Sequence, residues 1–242
     1  MFHPQGPTFW ELATQALSST ERGYDLLAPK FDFTPFLTPP PVIEAAAQVL
    51  APLGPFEAGL DLCCGTGAGM VMLRSLCTER VVGLDFSQGM LEIARQKVPE
   101  APGEARLEFV HGNALDLPFE AEFDLIVCFG ALGHILPRDE VQFLAQVVKA
   151  LRPGGRFAII TSTRPPWWSW QLWAARGFNT AMWARNLLVR PAFIMYYLNF
   201  LLPQVEQQFA AAGLTPEVHP LPGFRHGKLL IGARASRPLP SS

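Results

Sequence analysis

The sequence predicts an α/β fold with parallel strands at its centre, and three observations carry that prediction. The short apolar run Gly59 to Cys63 leads into the glycine cluster Gly65, Gly67 and Gly69, and a helical pattern opens at Ala68. The run Val81-Val82-Gly83-Leu84-Asp85 is apolar until its last residue, as expected of a strand buried on both faces. At 242 residues, 49% of them hydrophobic, the chain is long enough for one α/β domain with a cap or an insertion.

Taken in order, Phe9 to Leu17 reads as a short helix, followed by Tyr24-Asp25-Leu26-Leu27-Ala28. Pro39-Pro40-Pro41 is a stiff break, and Val42 to Leu50 is a helix stopped by Pro52-Leu53-Gly54-Pro55. A helical cap over residues 1–45 and a main domain over 46–242 are expected. The first strand is set at Gly59–Cys63 and the helix after it at Ala68–Cys77. Strand, glycine turn and helix together bring backbone N–H groups close to a ligand, and a side chain at Gly65 or Gly67 would block that approach. Asp61, near the strand's end, is suited to orienting the loop or meeting a cation. The dinucleotide fingerprint G-x-G-x-x-G fails because Met70 holds the third glycine's place. The phosphate loop fails because no lysine follows the glycines.

Asp85 lies about 20 residues past the glycine turn, where an acid meets ribose hydroxyls. Ser87 is placed to cap a helix over Gln88–Val98. Further strands are read at Leu107–His111 and Phe123–Phe129. The loop Gly130 to Ile135 follows the carboxyl end of the latter, where open α/β sheets bind ligands. His134 in that loop is the histidine considered for catalysis, with local packing as the alternative. A helix over Asp139–Leu151 is expected to bury Val141, Leu144, Val148 and Leu151.

Residues 164–202 have an unusual composition. They hold five of the six tryptophans, and their charged residues are all arginines: Arg164, Arg176, Arg185 and Arg190. No Asp or Glu occurs between Glu140 and Glu206. An aromatic, cationic, acid-free segment suits a membrane surface or a greasy acceptor, and equally a helical insertion packed on the core or on a second copy. A helix at Pro203–Ala212 and strands at Leu214–Pro220 and Lys228–Ala233 complete the chain, with Arg237 to Ser242 expected to be mobile.

A net charge of −2 gives no global field for nucleic acid. The cysteines Cys63, Cys64, Cys77 and Cys128 lack zinc-like spacing, so no metal site is expected, and reduced thiols point to the cytoplasm. The first residues lack the basic start and apolar core of a signal peptide. The longest apolar stretch, Ala192 to Leu202, is short of the about 20 residues a spanning helix needs.

Several stretches resemble one family. Asp61-Leu62-Cys63-Cys64-Gly65-Thr66-Gly67 is similar to D-x-G-x-G-x-G, the first motif of class I S-adenosylmethionine-dependent methyltransferases. Cys63 stands for the first glycine and is expected to need an ordinary backbone conformation. Asp85 to Leu91 is similar to the family's D-x-S-x-x-M-L, and Gly112 to Phe119 to its G-D-A-x-x-L-P-F. Phe123-Asp124 and Leu151-Arg152-Pro153-Gly154-Gly155 match its F-D and L-x-P-G-G elements. The resemblance implies a Rossmann-like, seven-stranded, mostly parallel sheet with helices on both faces, one antiparallel strand and a helical insertion after strand five. It implies S-adenosylmethionine as cofactor, held by Tyr24, Asp61, Cys63, Gly65, Thr66, Gly67, Asp85, Phe86, Met90, Asn113, Ala114 and Phe129. Asn113 takes the place of an acid that meets the adenine amino group, Asp116 being the alternative. The spelling D-L-C-C-G-T-G points to the type 11 group, which includes menaquinone and ubiquinone C-methyltransferases. A small-molecule acceptor, quinone- or lipid-like, is the expectation, with membrane contact through 164–202. Two rivals stay open: a nucleotide-binding oxidoreductase, and a non-catalytic adapter that uses 164–202 to bind a partner or membrane.

Overall fold

A computed structural model describes residues 3–236. The expectation of a mobile tail at Arg237–Ser242 lies outside the described residues. Seven strands form one sheet in the order β3-β2-β1-β4-β5-β7-β6. They are β1 (Phe56–Leu62), β2 (Cys77–Asp85), β3 (Arg106–His111), β4 (Phe123–Cys128), β5 (Leu151–Ser162), β6 (Leu214–Pro220) and β7 (Gly227–Arg234). β1 to β5 pair in parallel, while β7 runs antiparallel to both β5 and β6. This is the expected doubly wound sheet with one reversed strand.

The helices are α1 (Phe9–Leu17), α2 (Thr20–Leu27), α3 (Pro40–Leu50), α4 (Ala68–Leu76), α5 (Gln88–Lys97), α6 (Glu140–Ala150), α7 (Trp170–Leu188) and α8 (Gln204–Ala211). Side chains alternate across each strand, so the buried strands feed two cores. Leu60, Leu62, Val82, Leu84 and Ile126 pack with Phe143 and Val147 of α6 and Val205 and Phe209 of α8. Val81, Leu125 and Val127 pack on the other face with Ile43 and Leu50 of α3, Leu73 of α4 and Leu91 of α5. Burying one such side chain contributes roughly 1.5–3 kcal/mol, so these two layers hold the cleft's walls rigid.

Several sequence expectations need correction. β1 starts at Phe56 rather than Gly59, and β2 starts at Cys77, where the preceding helix ends. The boundary set at residue 45 falls inside α3, whose Ile43 and Leu50 both belong to the sheet's core. In α6 the buried face is Phe143, Leu144, Val147 and Ala150, and Val141 is 80% exposed. The L-x-P-G-G stretch is a bulge within β5: Leu151 pairs with Phe123 and Arg156 with Leu125, so residues 152–155 loop out. No helix among the described residues is long and apolar enough to cross a membrane.

Candidate functional site

The carboxyl ends of β1, β2 and β4 border a cleft of about 680 Å³. Of the residues expected to meet a cofactor, Tyr24, Asp61, Cys63, Gly65, Thr66, Asp85, Phe86, Met90 and Phe129 line it, and so does His134. They come from four segments, and the three after Tyr24 are brought together because strand order reverses beside β1.

The turn after β1 is built on left-handed residues. Gly65 has φ +52 and Gly67 has φ +89. A Cβ at Gly65 would meet nothing nearer than Phe31 at 3.9 Å, so its backbone faces open space. Cys63 also has φ +59, contrary to the ordinary conformation expected of it. A non-glycine residue held there costs roughly 1–2 kcal/mol, so the turn retains the shape of a glycine position without the glycine. The neighbouring Cys128 thiol and burial push the Cys63 pKa well up, which favours the protonated thiol over the thiolate.

Two carboxyl groups sit at the strand ends. Asp61 is buried, and its Oδ2 has no hydrogen-bond partner. Burial pushes its carboxyl up to about 8, with the Met70 amide pulling the other way. A Cβ at Gly69 would come within 2.5 Å of that Oδ2, so this glycine is required by the acid beneath it. Asp85 accepts the Gly65 amide at Oδ2 (2.8 Å) and the Ser87 amide at Oδ1 (2.8 Å). It ties the glycine turn to the start of α5, and each oxygen keeps a lone pair free for a further donor. Burial raises its pKa, opposed by those same amides.

The N-terminal segment closes the cleft through two aspartates. Asp25 Oδ1 accepts the Ser87 hydroxyl (2.6 Å) and the Gly89 amide (2.9 Å) at the N-terminus of α5. Asp32 accepts the Thr66 hydroxyl (2.6 Å) and pairs with Lys97 (2.6 Å). Phe31, Phe36, Leu37 and Thr38 consequently line the cleft, as Ile43 of α3 does. Sequence reasoning missed all of these. The phenylalanines at 31, 33 and 36 signalled burial but not its destination.

Three expected cofactor residues do not line the cleft. Gly67 is hemmed in by α5, where a Cβ would meet Val98 at 2.4 Å, so its contribution is the turn's geometry. Asn113 is exposed and turns its Oδ1 onto the Leu115 amide of its own loop (2.9 Å). Ala114 is buried in the core shared with α6. Asp116 is exposed, its amide donating to the Asn113 carbonyl.

His134 is oriented on both sides. Its Nδ1 can only donate to the Ile194 carbonyl oxygen (2.5 Å), so the proton resides there. Nε2 is then an acceptor, and the Tyr24 hydroxyl donates to it at 2.8 Å. Burial lowers the imidazole's pKa and raises that of the Tyr24 phenol, so both groups are neutral near pH 7. A second cavity of about 480 Å³ shares Gly130 and His134 with the first and is otherwise walled by residues 195–199 and Gly133.

The comparisons with known proteins agree with this geometry. Residues 60–155 match a family model described as a methyltransferase domain. The demethylmenaquinone methyltransferase of Oceanobacillus iheyensis is 38% identical over 112 residues, covering 45% of this chain and 46% of the relative. A protein of the same name from Clavibacter sepedonicus is 38% identical over 124 residues, 50% of this chain and 47% of the relative. The chain thus spans about half the length of the curated relatives it matches. Among solved structures, an O-methyltransferase family protein from Burkholderia thailandensis superposes with a TM-score of 0.62 at 17% identity, covering 98% of this chain and 66% of that one. A magnesium protoporphyrin IX methyltransferase from Synechocystis with bound SAH superposes at 0.58 and 16% identity, covering 81% and 83%. The structural likenesses speak for the fold, and the family model and its relatives speak for the kind of domain. The glycine turn and the acid at the end of β2 thus fall within residues 60–155, the stretch similar to a methyltransferase domain, and the reversed strand completes a sheet of the kind seen in the solved methyltransferase structures.

Proposed function

We propose that the chain transfers a methyl group from S-adenosylmethionine to a small hydrophobic acceptor, quinone- or lipid-like. The observation that carries the reading is the junction of two cavities at His134, one against the glycine turn and one against the insertion. The residues of the first cavity fit the cofactor. Asp61 offers a buried carboxyl oxygen with no partner, suited to a cationic group, and the Gly65 backbone is open to close approach. Asp85 retains lone pairs for a vicinal diol, and Phe86 and Met90 offer apolar surface for a flat base. When bound, the cofactor supplies a methyl group activated by a positively charged sulfur.

The chain's own task is then to hold two reactants in line and exclude water, which supplies several kcal/mol of the barrier. The Tyr24–His134 pair adds a route for one proton. A phenol or enol presented to Tyr24 Oη loses its proton to that oxygen as Tyr24's own proton passes to His134 Nε2. Met195, Tyr196, Tyr197 and Leu198 give the second cavity a largely apolar wall that suits a greasy acceptor. The name of the Oceanobacillus relative supports a quinone-like compound. Peripheral membrane contact through 164–202 fits an acceptor of that kind.

Incubation with labelled S-adenosylmethionine and a lipid extract tests the reading. Label is expected in an apolar product. Label confined to polar products would overturn the acceptor class. Absence of any S-adenosylhomocysteine affinity by calorimetry would favour a non-catalytic adapter instead.

A further inference from the structure

Two helices of this chain turn their apolar stripes away from the protein. α7 is 19 residues long, yet only Leu172 and Met182 are buried on it. Trp170, Ala174, Gly177, Ala181 and Leu188 recur at spacings of three, four and seven, which lines them along one side of a helix. All five are exposed, with Trp170 at 74% and Leu188 at 85%. α1 behaves likewise: Phe9, Trp10 and Leu17 are exposed, Trp10 at 77%, while the polar Gln15 is buried. A helix packed for a watery surface has the opposite arrangement.

The two helices are joined. Arg185 of α7 donates from Nε to the Ala16 carbonyl (2.8 Å) and from a terminal nitrogen to the Ser18 carbonyl (2.9 Å), at the end of α1. α7 is also tied to the second cavity. Asn179 accepts the Tyr197 amide (2.8 Å) and donates to the Tyr197 carbonyl (2.9 Å), and Tyr197 lines that cavity. Asn179 is on the opposite side of α7 from the exposed stripe, so this one helix separates whatever covers the stripe from the wall of the candidate acceptor cavity.

We infer that α1 and α7 together form a docking face for an anionic lipid bilayer. Charge chooses this occupant over a second copy of the chain. The exposed cations of residues 164–202 are Arg164, Arg176 and Arg190, with Arg176 over the Trp173 ring at 5.2 Å, and residues 141–205 contain no acid. A twin face would bring arginines toward arginines with nothing in the segment to neutralise them, whereas an anionic headgroup layer neutralises them all. Tryptophan is suited to the headgroup boundary, with an apolar body and one polar N–H. Glu11 of α1 does not oppose the lipid charge, because Lys30 pairs with it at 2.6 Å. The face deepens the hydrophobic-acceptor reading: an acceptor dissolved in the bilayer would have α7 alone between it and the second cavity. The inference rests on that reading for its purpose alone.

Flotation of the full chain with phosphatidylcholine vesicles, with and without phosphatidylglycerol, tests the face. The native chain is expected to float with the anionic vesicles and to be released by salt. Trp170→Glu/Leu188→Glu is expected to weaken binding at least ~10-fold, and Phe9→Glu/Trp10→Glu likewise, since each pair removes large apolar side chains from the boundary. Arg164→Ala/Arg176→Ala/Arg190→Ala is expected to abolish the preference for anionic vesicles. S-adenosylhomocysteine affinity, measured on every variant, reports the fold and the cofactor reading separately. Failure of the native chain to float overturns the inference, and native-like flotation of the Phe9→Glu/Trp10→Glu variant overturns the role of α1. A dimer by sedimentation that Trp170→Glu/Leu188→Glu dissolves would assign the face to a second copy and overturn the lipid.

Discussion

The Tyr24 hydroxyl lies 2.8 Å from His134 Nε2, joining the N-terminal cap to the loop after β4 across 110 positions of sequence. The imidazole's other nitrogen is committed to the Ile194 carbonyl. Cap, sheet and insertion therefore converge on one neutral ring, and its protonation state follows from what each neighbour can accept or donate.

Burial holds the His134 pKa below the usual histidine value. The neutral form is thus favoured in the folded chain. The stability it contributes is complete above the unfolded value near 6.5 and is lost as pH falls through the lower folded value. Nitrogen chemical shifts should show the Nδ1–H form persisting below pH 6.5. In Tyr24→Phe, Nε2 loses its donor, and stability should fall by about 1 kcal/mol. A His134 that titrates at an ordinary value would remove the pair from the mechanism.

The cofactor role proposed for Asp61 predicts that cofactor uptake depends on pH. With its carboxyl pushed up to about 8, the group is protonated at neutral pH in the free chain. A raised folded pKa means that its contribution to stability is present below the unfolded value of about 4 and is lost as pH rises through 8. A cation beside Oδ2 favours the ionised form, so binding expels a proton. Affinity for S-adenosylhomocysteine should rise by up to tenfold per pH unit below about pH 8 and flatten above it. Asp61→Asn should abolish that slope and weaken binding. An unchanged slope in the variant would move the cation elsewhere.

Cys63 stores backbone strain that glycine would release. At φ +59 the cysteine costs roughly 1–2 kcal/mol, and glycine gives back about half of the gain as added freedom in the unfolded chain. Chemical denaturation of Cys63→Gly should show a net stabilisation of about 0.5–1 kcal/mol. Cys63→Val should be strongly destabilised, because a β-branched side chain is poorly tolerated at positive φ. Equal stability of the two variants would mean that the turn relaxes around residue 63.

How much of this was legible in the sequence depends on how local the determining physics is. Gly65, Gly67, Asp85 and Ser87 could be read because apolar runs, positive φ and helix caps are set within a few residues. For Asn113 the sequence did not reveal that its Oδ1 accepts the Leu115 amide of its own loop. The buried face of α6 was misread by choosing Val141 over Phe143, two residues that suit a helical stripe equally in one dimension. Tyr24 was expected at the cleft from the family resemblance, but the carboxylate grip of the cap was invisible because the partners of Asp25 and Asp32 lie 34 to 65 positions away. The acid-free composition of 164–202 was plain, but only the three-dimensional packing reveals that its helix leaves the stripe uncovered.

Those two aspartates make the cap a latched cover, and the latch can be tested. Asp25 takes two donors at the start of α5, where the helix dipole favours its charge, and Asp32 takes Thr66 of the glycine turn together with Lys97. Hydrogen bonds to a charged group contribute about 1.5–3 kcal/mol, so neither latch alone carries the global stability, but each is comparable to the free energy of a local opening. Asp25→Ala should speed amide exchange across 20–33 while exchange in β1 and β4 stays slow, because the strands draw their protection from the two cores beneath them. Asp32→Ala should add exchange at Thr66 and Gly67, since the same carboxylate steadies the turn. S-adenosylhomocysteine should slow exchange in both variants, because the cleft's walls include Tyr24 and Phe31 from the cap itself. If α2 in Asp25→Ala exchanges as slowly as in the native chain, the cap is held by packing against Phe86 and Phe193 rather than by its carboxylates.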